Sequence, residues 1–596
     1  MRTVALALLF LLLSVIAISR APGPDALLFS LDNDSVMRLV MIRDLLNGQD
    51  WFDLSQVRLG VDGGSEMHWS RLLDGLLAAL ISGGGLVFGP LLSEYWVMML
   101  WPLAMLGLAM IIVFWIGRAL DGPGTGAFAA ALVGLSLVTT ARFAPGGIDH
   151  HNIQLVLLLT VVMGLVVRRV YPGWAMVSGF ALAVSLVIGV ETFPLLALCG
   201  LAMAVFWVVD GGGERTAALR FSTSIIAGLL VLFPLTAPAS AWQGGFCDGI
   251  SIDLVVVAGG AAVGLALAAA MVVRGDWVTR LTVVAGVGVV CCVVALLYAP
   301  ACLSNPLASL DPYLKSRWLD IVSEARSFSD VVSGSHKDRF YLGFFCLGVV
   351  AVAAAVHIFR RGPNRLEWAF LSVLIVLATA LTAYQLRSYL TIVVLSAPPI
   401  AAVVARLSKA GGSGVGRWRA IAAPTVFALA VPLTWAAGLS LVDPDAGSDP
   451  AIAASSGEAI VRDECLVPGV FDSLADQPPG LVSAVSNMGA EILAFTPHRV
   501  LAAPYHRNQA GMRAQLEIAL ASNAEEARAH MQAVGVDYVV VCASDPEMRA
   551  LEKLGYSGFL RELEQGVVPE FLTPIPVSEP ESPLRIYKFQ SKQPEA

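Results

Sequence analysis

Carboxylates and imidazoles recur at short spacing in a chain otherwise poor in charge. Asp149 and His151 are one residue apart, with His150 between them, in Arg142-Phe143-Ala144-Pro145-Gly146-Gly147-Ile148-Asp149-His150-His151-Asn152. Carboxylate and imidazole together can hold a divalent cation. Asp149 can equally cap the helix that follows. Asp32-Asn33-Asp34 precedes a helix-like stretch from Ser35 to Asn47, then Trp51-Phe52-Asp53. Asp34-Ser35 is expected to cap that helix by accepting its orphan amides, and this is compatible with a site if one carboxylate caps and the other faces it. Glu66 to Asp74 crowds His68, Trp69, Arg71 and Asp74 together, which suits an anionic headgroup or a sugar. Trp and Arg are also ordinary anchors at a membrane boundary. Arg387, with Tyr384, Gln385 and Tyr389, can pair with a phosphate or simply snorkel to the interface. Glu191 interrupts a very apolar stretch and needs a partner or water there. Glu324, in Ile321-Val322-Ser323-Glu324, is by itself an ordinary loop carboxylate.

These groups must be positioned by membrane helices. The chain has 596 residues, 57% of them hydrophobic and 14% charged, and a mean hydropathy of +0.73. Apolar runs of roughly 17–25 residues recur, each long enough to cross a ~30 Å hydrocarbon layer as a helix. Length and hydropathy predict about thirteen spans, near 3–19, 94–117, 123–141, 152–167, 174–190, 192–209, 221–238, 253–273, 281–299, 340–358, 366–384, 389–405 and 420–441. The first run is read as a retained helix. The Gly-rich stretch Leu72 to Phe88 is read as re-entrant or interfacial. Net charge is -8 with no long basic tract, so nucleic acid is not an expected partner; membrane lipids are.

Alternate connections differ in charge. One set holds Arg118, Arg168, Arg169, Arg215, Arg220, Arg274, Arg280, Arg360, Arg361, Arg365, Arg406, Lys409, Arg417 and Arg419. The short loops of the other set hold little beyond Arg142 and Arg387. Basic short loops mark the cytoplasmic side. The expectation is a multi-pass protein of the plasma (inner) membrane, its N-terminus cytoplasmic and its C-terminal part extracytoplasmic. The outer side then carries large loops at 20–93 and 300–339. After a transmembrane domain at 1–441, charge rises and long apolar runs stop. Strand-like Gly480 to Ser486 and Val536 to Val541 flank a helix-like Ala521 to Val534, so 442–596 is expected to form a small α/β domain. Cys247 and Cys302 fall in successive outer loops, and Cys465 and Cys542 in the tail. An oxidising compartment would allow two disulfides, against an alternative of four free thiols.

Taken in order, these clusters resemble the catalytic subunit of the oligosaccharyltransferases, GT-C-type glycosyltransferases that use a polyprenyl-linked donor. Asn33-Asp34 with Trp51-Phe52-Asp53 is similar to the family's first acidic motif, and Arg142-x-x-x-Gly146-x-x-Asp149-x-His151 to its second. Val322-Ser323-Glu324 is similar to the fifth-loop motif, and Arg387-Ser388-Tyr389 to the Arg and aromatic near the donor phosphates. There are departures. Ser486-Asn487-Met488-Gly489 stands where the family carries Trp-Trp-Asp before a Gly to read an Asn-x-Ser/Thr acceptor. His151 replaces the second carboxylate, and Tyr505-His506-Arg507-Asn508 forms a polar cluster of its own.

The resemblance implies a GT-C-like helical fold and transfer of a sugar or oligosaccharide, with inversion, to an acceptor outside the membrane. Asp34, Asp149, His151 and Glu324 would surround a divalent cation, Mg²⁺ or Mn²⁺. Asp34 and Glu324 would be catalytic, with Asp34 orienting or deprotonating the acceptor. Arg387, Tyr389, His68, Arg71, Arg142, His506 and Arg507 would contact substrate. The partners implied are a polyprenyl-linked sugar donor and an acceptor that is a glycan, lipid or protein. A transferase using a monosaccharide-phosphate polyprenol, needing only the first acidic motif, is the nearest alternative. A transporter or flippase of lipid-linked glycans is a further one, although no internal repeat is seen and the acidic groups sit at span ends.

Overall fold

The computed structural model describes residues 2–61, 63–303, 310–322, 325–333, 340–360, 364–409, 416–442, 465–579 and 581–590. All thirteen expected spans are helical. Ten are long and apolar enough to cross a membrane, from Thr3–Arg20 to Leu386–Ser408. Two, Pro123–Leu137 and Trp174–Ile188, are shorter apolar helices. The last is not one straight span: it is a pair, Trp418–Leu429 and Pro432–Leu439, bent by 83°. Pro432, which has no amide to donate, opens the second half.

The Arg71–Phe88 helix also passes by length and composition, yet both its ends stay at one end of the bundle. Its first turn holds Asp74, which pairs with Arg38. Its far part folds directly onto the next helix, where Ser93 Oγ donates to the Ile81 carbonyl (2.6 Å). That next helix, Pro90–Asp121, has 32 residues, about 48 Å at 1.5 Å per residue. It meets Arg43 through Glu94 (2.7 Å) near one end and Arg406 through Asp121 (2.7 Å) at the other. A helix longer than the ~30 Å hydrocarbon core extends past it, and the Arg71–Phe88 helix packs on the extension.

The basic residues assigned to one side do share an end. Arg168 bonds Glu214 (2.9 Å) and Glu367 (3.0 Å), and Arg169 bonds Glu214 (2.8 Å). Arg280 donates to the Val208 carbonyl (2.9 Å) and Asn364 to that of Ala119 (3.1 Å). The tail and the acidic clusters gather at the opposite end.

The tail is α/β as expected. Its sheet has strand order β4-β3-β5-β7-β6, where β3 is Leu481–Ser483, β4 Arg499–Val500, β5 Tyr538–Cys542, β6 Leu572–Ile575 and β7 Leu584–Phe589. The first three are parallel and β7 turns antiparallel. β5 is wholly buried, Tyr-Val-Val-Val-Cys, which explains its continuous apolar run. The tail does not stand apart. Leu59 of the first loop bridges to Val500 at the β4 edge, with Gly60 N donating to the Val500 carbonyl and Val500 N to that of Arg58 (both 2.8 Å). Arg58 also donates to the Leu493 (2.9 Å) and Thr496 (3.0 Å) carbonyls, and Arg43 to that of Ala494 (3.1 Å). Val36, Met37, Val40 and Met41 of the Asn33–Leu46 helix join one apolar core with the tail, while Leu39 and Ile42 of the same helix face the membrane-helix core.

Both expected cysteine pairs are disulfides, Cys247–Cys302 and Cys465–Cys542. The remaining four thiols are free. The tail bridge closes a segment of 77 residues. Removing such a link frees the unfolded chain, at a cost of roughly 2–5 kcal/mol. Cys542→Ser is expected to lower the melting temperature of the tail while leaving the membrane helices folded, read by hydrogen exchange on β5.

Candidate active site

The site forms where the Asn33–Leu46, Arg71–Phe88 and His150–Val167 helices begin. Asp32 is the N-cap of the first, its Oδ1 accepting from Ser35 N (2.7 Å). That leaves Asp34 in the first turn rather than in the capping role. Asp149 caps and faces the site at once. Its Oδ1 accepts from His150 N (2.6 Å), and its Oδ2 lies 3.3 Å from His151 Nε2. Gly146 makes the approach possible. It has φ +99°, and a Cβ there would come within 2.1 Å of Leu31 Cδ2.

Beneath these carboxylates lies Arg38, one turn into the Asn33–Leu46 helix and fully buried. Its Nη1 bonds Asp74 Oδ1 (2.5 Å), its Nη2 lies 3.7 Å from Asp149 Oδ1, and Trp69 stacks under the guanidinium at 4.5 Å. His150 completes the group. Its Nδ1 is 2.5 Å from Asp149 Oδ1 and its Nε2 is 3.0 Å from Glu191 Oε1. Gln154 donates to the other Glu191 oxygen (3.0 Å). Burial opposes charge on Glu191, but His150, His151 and Arg387 hold its carboxyl well below the usual range. Arg38 was not singled out from sequence, and Asp74 and His150 were noted within their segments without a role in this site. The one available signal was an Arg amid Val-Met-Arg-Leu-Val, which needs a buried partner.

Tyr505 of the tail closes the roof. Its hydroxyl donates to the Asn33 carbonyl (3.0 Å) and its ring meets Trp69 edge-on at 5.4 Å. Burial pushes the phenol well above its ordinary value, and Asp34, Glu491, Asp32 and Asp149 add to the push. Asp34 and Asp149 therefore both act on one buried ring. On the other flank, Arg142 Nη1 donates to the Arg387 carbonyl (3.0 Å), so the two arginines are neighbours. Tyr389 packs on Phe344 (4.7 Å). Glu324 lies outside the described residues. Arg326 is described, and its carbonyl accepts from Leu386 N (2.9 Å), one residue before Arg387.

Other sequence candidates are placed differently. Arg71 is fully buried, and its guanidinium is spent on Asp74 (3.4 Å), Gln49 (2.7 Å) and the Trp51 and Asp53 carbonyls. It holds the first loop together. His506 and Arg507 both bind Asp248, at 2.7 and 2.6 Å, and Arg507 also reaches Glu66 (3.3 Å). His68 packs against His506 with ring centroids 4.8 Å apart. Burial, helped by His506, lowers the His68 imidazole to about 3. Asp248 is held well below the carboxylate range: burial opposes this, but the bonds from Arg507 and His506 outweigh it. Beside them a cleft of ≈ 450 Å³ opens between the first loop and the tail, lined by Glu66, Ser240, Phe246, Arg507 and Gln509.

At the position of the missing acceptor reader, Ser486 and Met488 are buried. Ser486 Oγ donates to Glu547 Oε2 (2.7 Å), as does Asn487 N (3.2 Å). Gly489 is demanded by packing, since a Cβ there would lie 2.0 Å from the Ala502 carbonyl oxygen. The side chains of Ser486 and Met488 point inward.

Membrane helices with this connectivity, topped by an α/β tail, define a GT-C-type fold. No protein-family model and no curated protein sequence matches the chain. Solved structures do. The archaeal oligosaccharyltransferase AglB from Archaeoglobus fulgidus, in complex with an inhibitory peptide and a dolichol-phosphate, is similar with a TM-score of 0.63 at 13% identity, over 99% of this chain and 75% of that one. The Archaeoglobus fulgidus oligosaccharyltransferase in complex with Zn and sulfate gives 0.57 at 15% identity, over 89% and 67%. The arabinofuranosyltransferase AftD from Mycobacteria gives 0.52 at 16% identity, over 98% of this chain and 41% of that one. The likeness is one of fold.

Arg38→Met tests the buried charge beneath the site. Removing one partner of a buried ion pair costs roughly 3–5 kcal/mol. The variant is expected to melt well below the wild type, and Arg38→Met with Asp74→Leu to recover part of the loss. Equal melting temperatures for wild type and single variant would show that the pair carries no stability.

Proposed function

We propose that this protein is a membrane glycosyltransferase. It moves a sugar or oligosaccharide from a polyprenyl-phosphate-linked donor to an acceptor at the face that carries the tail, with inversion at the anomeric carbon. The observation that carries the reading is the pairing of Asp149 Oδ2 and His151 Nε2 at 3.3 Å, next to the Arg142–Arg387 flank and under the tail. One acidic-imidazole corner and one cationic flank are what a sugar phosphate requires. The positive groups take the phosphate, and the carboxylates serve the nucleophile.

In this reading Arg387 binds donor phosphate, Arg142 fixes its loop, and Tyr389 lies against the donor. Asp34 accepts the proton of the acceptor nucleophile as its lone pair attacks the anomeric carbon. The bond from that carbon to the phosphate oxygen breaks on the opposite face. Asp34, Asp149, His151 and Glu324 would hold a divalent cation, Mg²⁺ or Mn²⁺. Asp149 and His151 support this with a carboxylate oxygen and an imidazole nitrogen 3.3 Å apart; three carboxylates would suit a hard ion, and one imidazole would tilt the preference toward Mn²⁺. When bound, the ion supplies charge neutralisation to the leaving phosphate. The acceptor enters by the cleft beside Arg507. The side on which the tail lies is taken as the outer face of a plasma (inner) membrane, because the basic ends of the helices collect at the opposite end.

The inward-facing Ser486 and Met488 speak against reading of an Asn-x-Ser/Thr sequon, so a glycan or lipid acceptor is favoured over an ordinary glycosylation peptide. Asp34→Asn and Glu324→Gln are each expected to lower transfer from a polyprenyl-linked donor at least a hundredfold at unchanged expression, and chelation by EDTA to abolish it reversibly. Near-normal turnover in Asp34→Asn would end the reading of Asp34 as base. Full activity of Glu324→Gln in EDTA would instead support a metal-free transferase using a monosaccharide-phosphate polyprenol.

A further inference from the structure

A second group of potential metal ligands stands apart from the Asp149 corner. His68 comes from the first loop, Asp248 from the loop after the Gly212–Thr236 helix, and His506 from the tail. One ligand atom from each lies within 4.8 Å of the others. We propose that His68, Asp248 and His506 form a zinc-class metal site that clamps the tail onto the loops of the membrane part. The proposal does not depend on the transfer reaction.

The donor set is the first reason. Two imidazoles and a carboxylate, open at a fourth position, are a tetrahedral zinc set. Bonds of 2.0–2.2 Å in that geometry put ligand atoms about 3.4 Å apart. His506 Nε2 and Asp248 Oδ2 are already at 2.7 Å, so closure needs a small widening there and an inward shift of roughly an ångström elsewhere. Zinc at His506 Nε2 would replace the hydrogen bond to Asp248, with the neutral imidazole carrying its one proton on Nδ1.

The second reason is an unfilled valence. His68 Nδ1 is buried and has no hydrogen-bond partner among the described residues. Leaving a buried polar atom unmet costs about 1–3 kcal/mol. A metal bond, or movement of the ring to present this nitrogen, removes the cost. The third reason is preparation. Cys247, next to Asp248, is bonded to Cys302, which restrains the loop that delivers the carboxylate. Arg507 is bidentate on Asp248, its Nη2 donating to Oδ1 (2.8 Å) and its Nε to Oδ2 (2.6 Å); with zinc on Oδ2 the bond to Oδ1 remains as the outer-shell support that orients metal-bound carboxylates. Glu66, 3.3 Å from Arg507, offsets the arginine charge. The competing description is a metal-free network in which Arg507 and His506 simply neutralise Asp248.

The test uses the full-length protein in detergent, stripped with chelator and reloaded with Zn²⁺ alone. Bound zinc is counted by mass spectrometry of the metal, and protection of the tail is read by limited proteolysis. Asp149→Asn is expected to keep one tightly bound zinc and zinc-dependent protection. His68→Gln and His506→Gln, each made in the Asp149→Asn background, are expected to lose both. Folding of these variants is checked by the intact Cys465–Cys542 bridge and by gel filtration; if one misfolds, the other decides. Unchanged zinc content in the folded His68→Gln and His506→Gln variants overturns the proposal, as does the absence of zinc from Asp149→Asn itself.

Discussion

A guanidinium buried at a membrane boundary is the constraint on which the site is built. Arg38 reaches no water, so its charge must be met by protein. Asp74 meets it from one helix, Asp149 from another, and Trp69 lends its ring face. These contacts pin three helix beginnings to a single point. They also dictate how Asp149 presents its second oxygen to His151. Moving any of the three helices would strand a charge in a low-dielectric setting, where the loss far exceeds that of a surface ion pair.

The same helix that carries Arg38 couples the membrane part to the tail. Asn33–Leu46 has no solvent face along its middle: Val36 and Val40 pack on the tail, Leu39 and Ile42 on the bundle. That two-sided burial explains its weak amphipathic pattern. The first loop then lends an edge to the tail sheet at Val500, and arginines 43 and 58 satisfy carbonyls at the end of the Gly489–Phe495 helix. Tyr505 and His506 are thereby delivered to the acidic corner and to Asp248, respectively. A tail held this way is a wall of the site.

The segment before Gly489 makes internal contacts. Gly489 is required because the Ala502 carbonyl leaves no room for a side chain. The residues before it, Ser486 and Asn487, turn to Glu547 inside the tail. Burial raises the Glu547 carboxyl, against the hydrogen bonds from Ser486 and Asn487 that lower it.

Hydropathy and charge by themselves determined the helices, the basic end, the place of the tail and the polar segments at the other end, because crossing a bilayer demands long apolar runs and sidedness leaves its mark in Lys and Arg. Cysteine position on that side was enough to expect both disulfides. What local pattern could not supply was partnership. Whether Asp32 or Asp34 caps, that Arg71 is consumed within its loop, that Asp248 joins His68 and His506, and that Arg38 sits under Asp149 all depend on contacts between residues tens to hundreds of positions apart. The break at Pro432 and the return of Arg71–Phe88 along its neighbour were likewise decided by packing, since length and hydropathy measure only how much apolar chain is present, not where its ends are held.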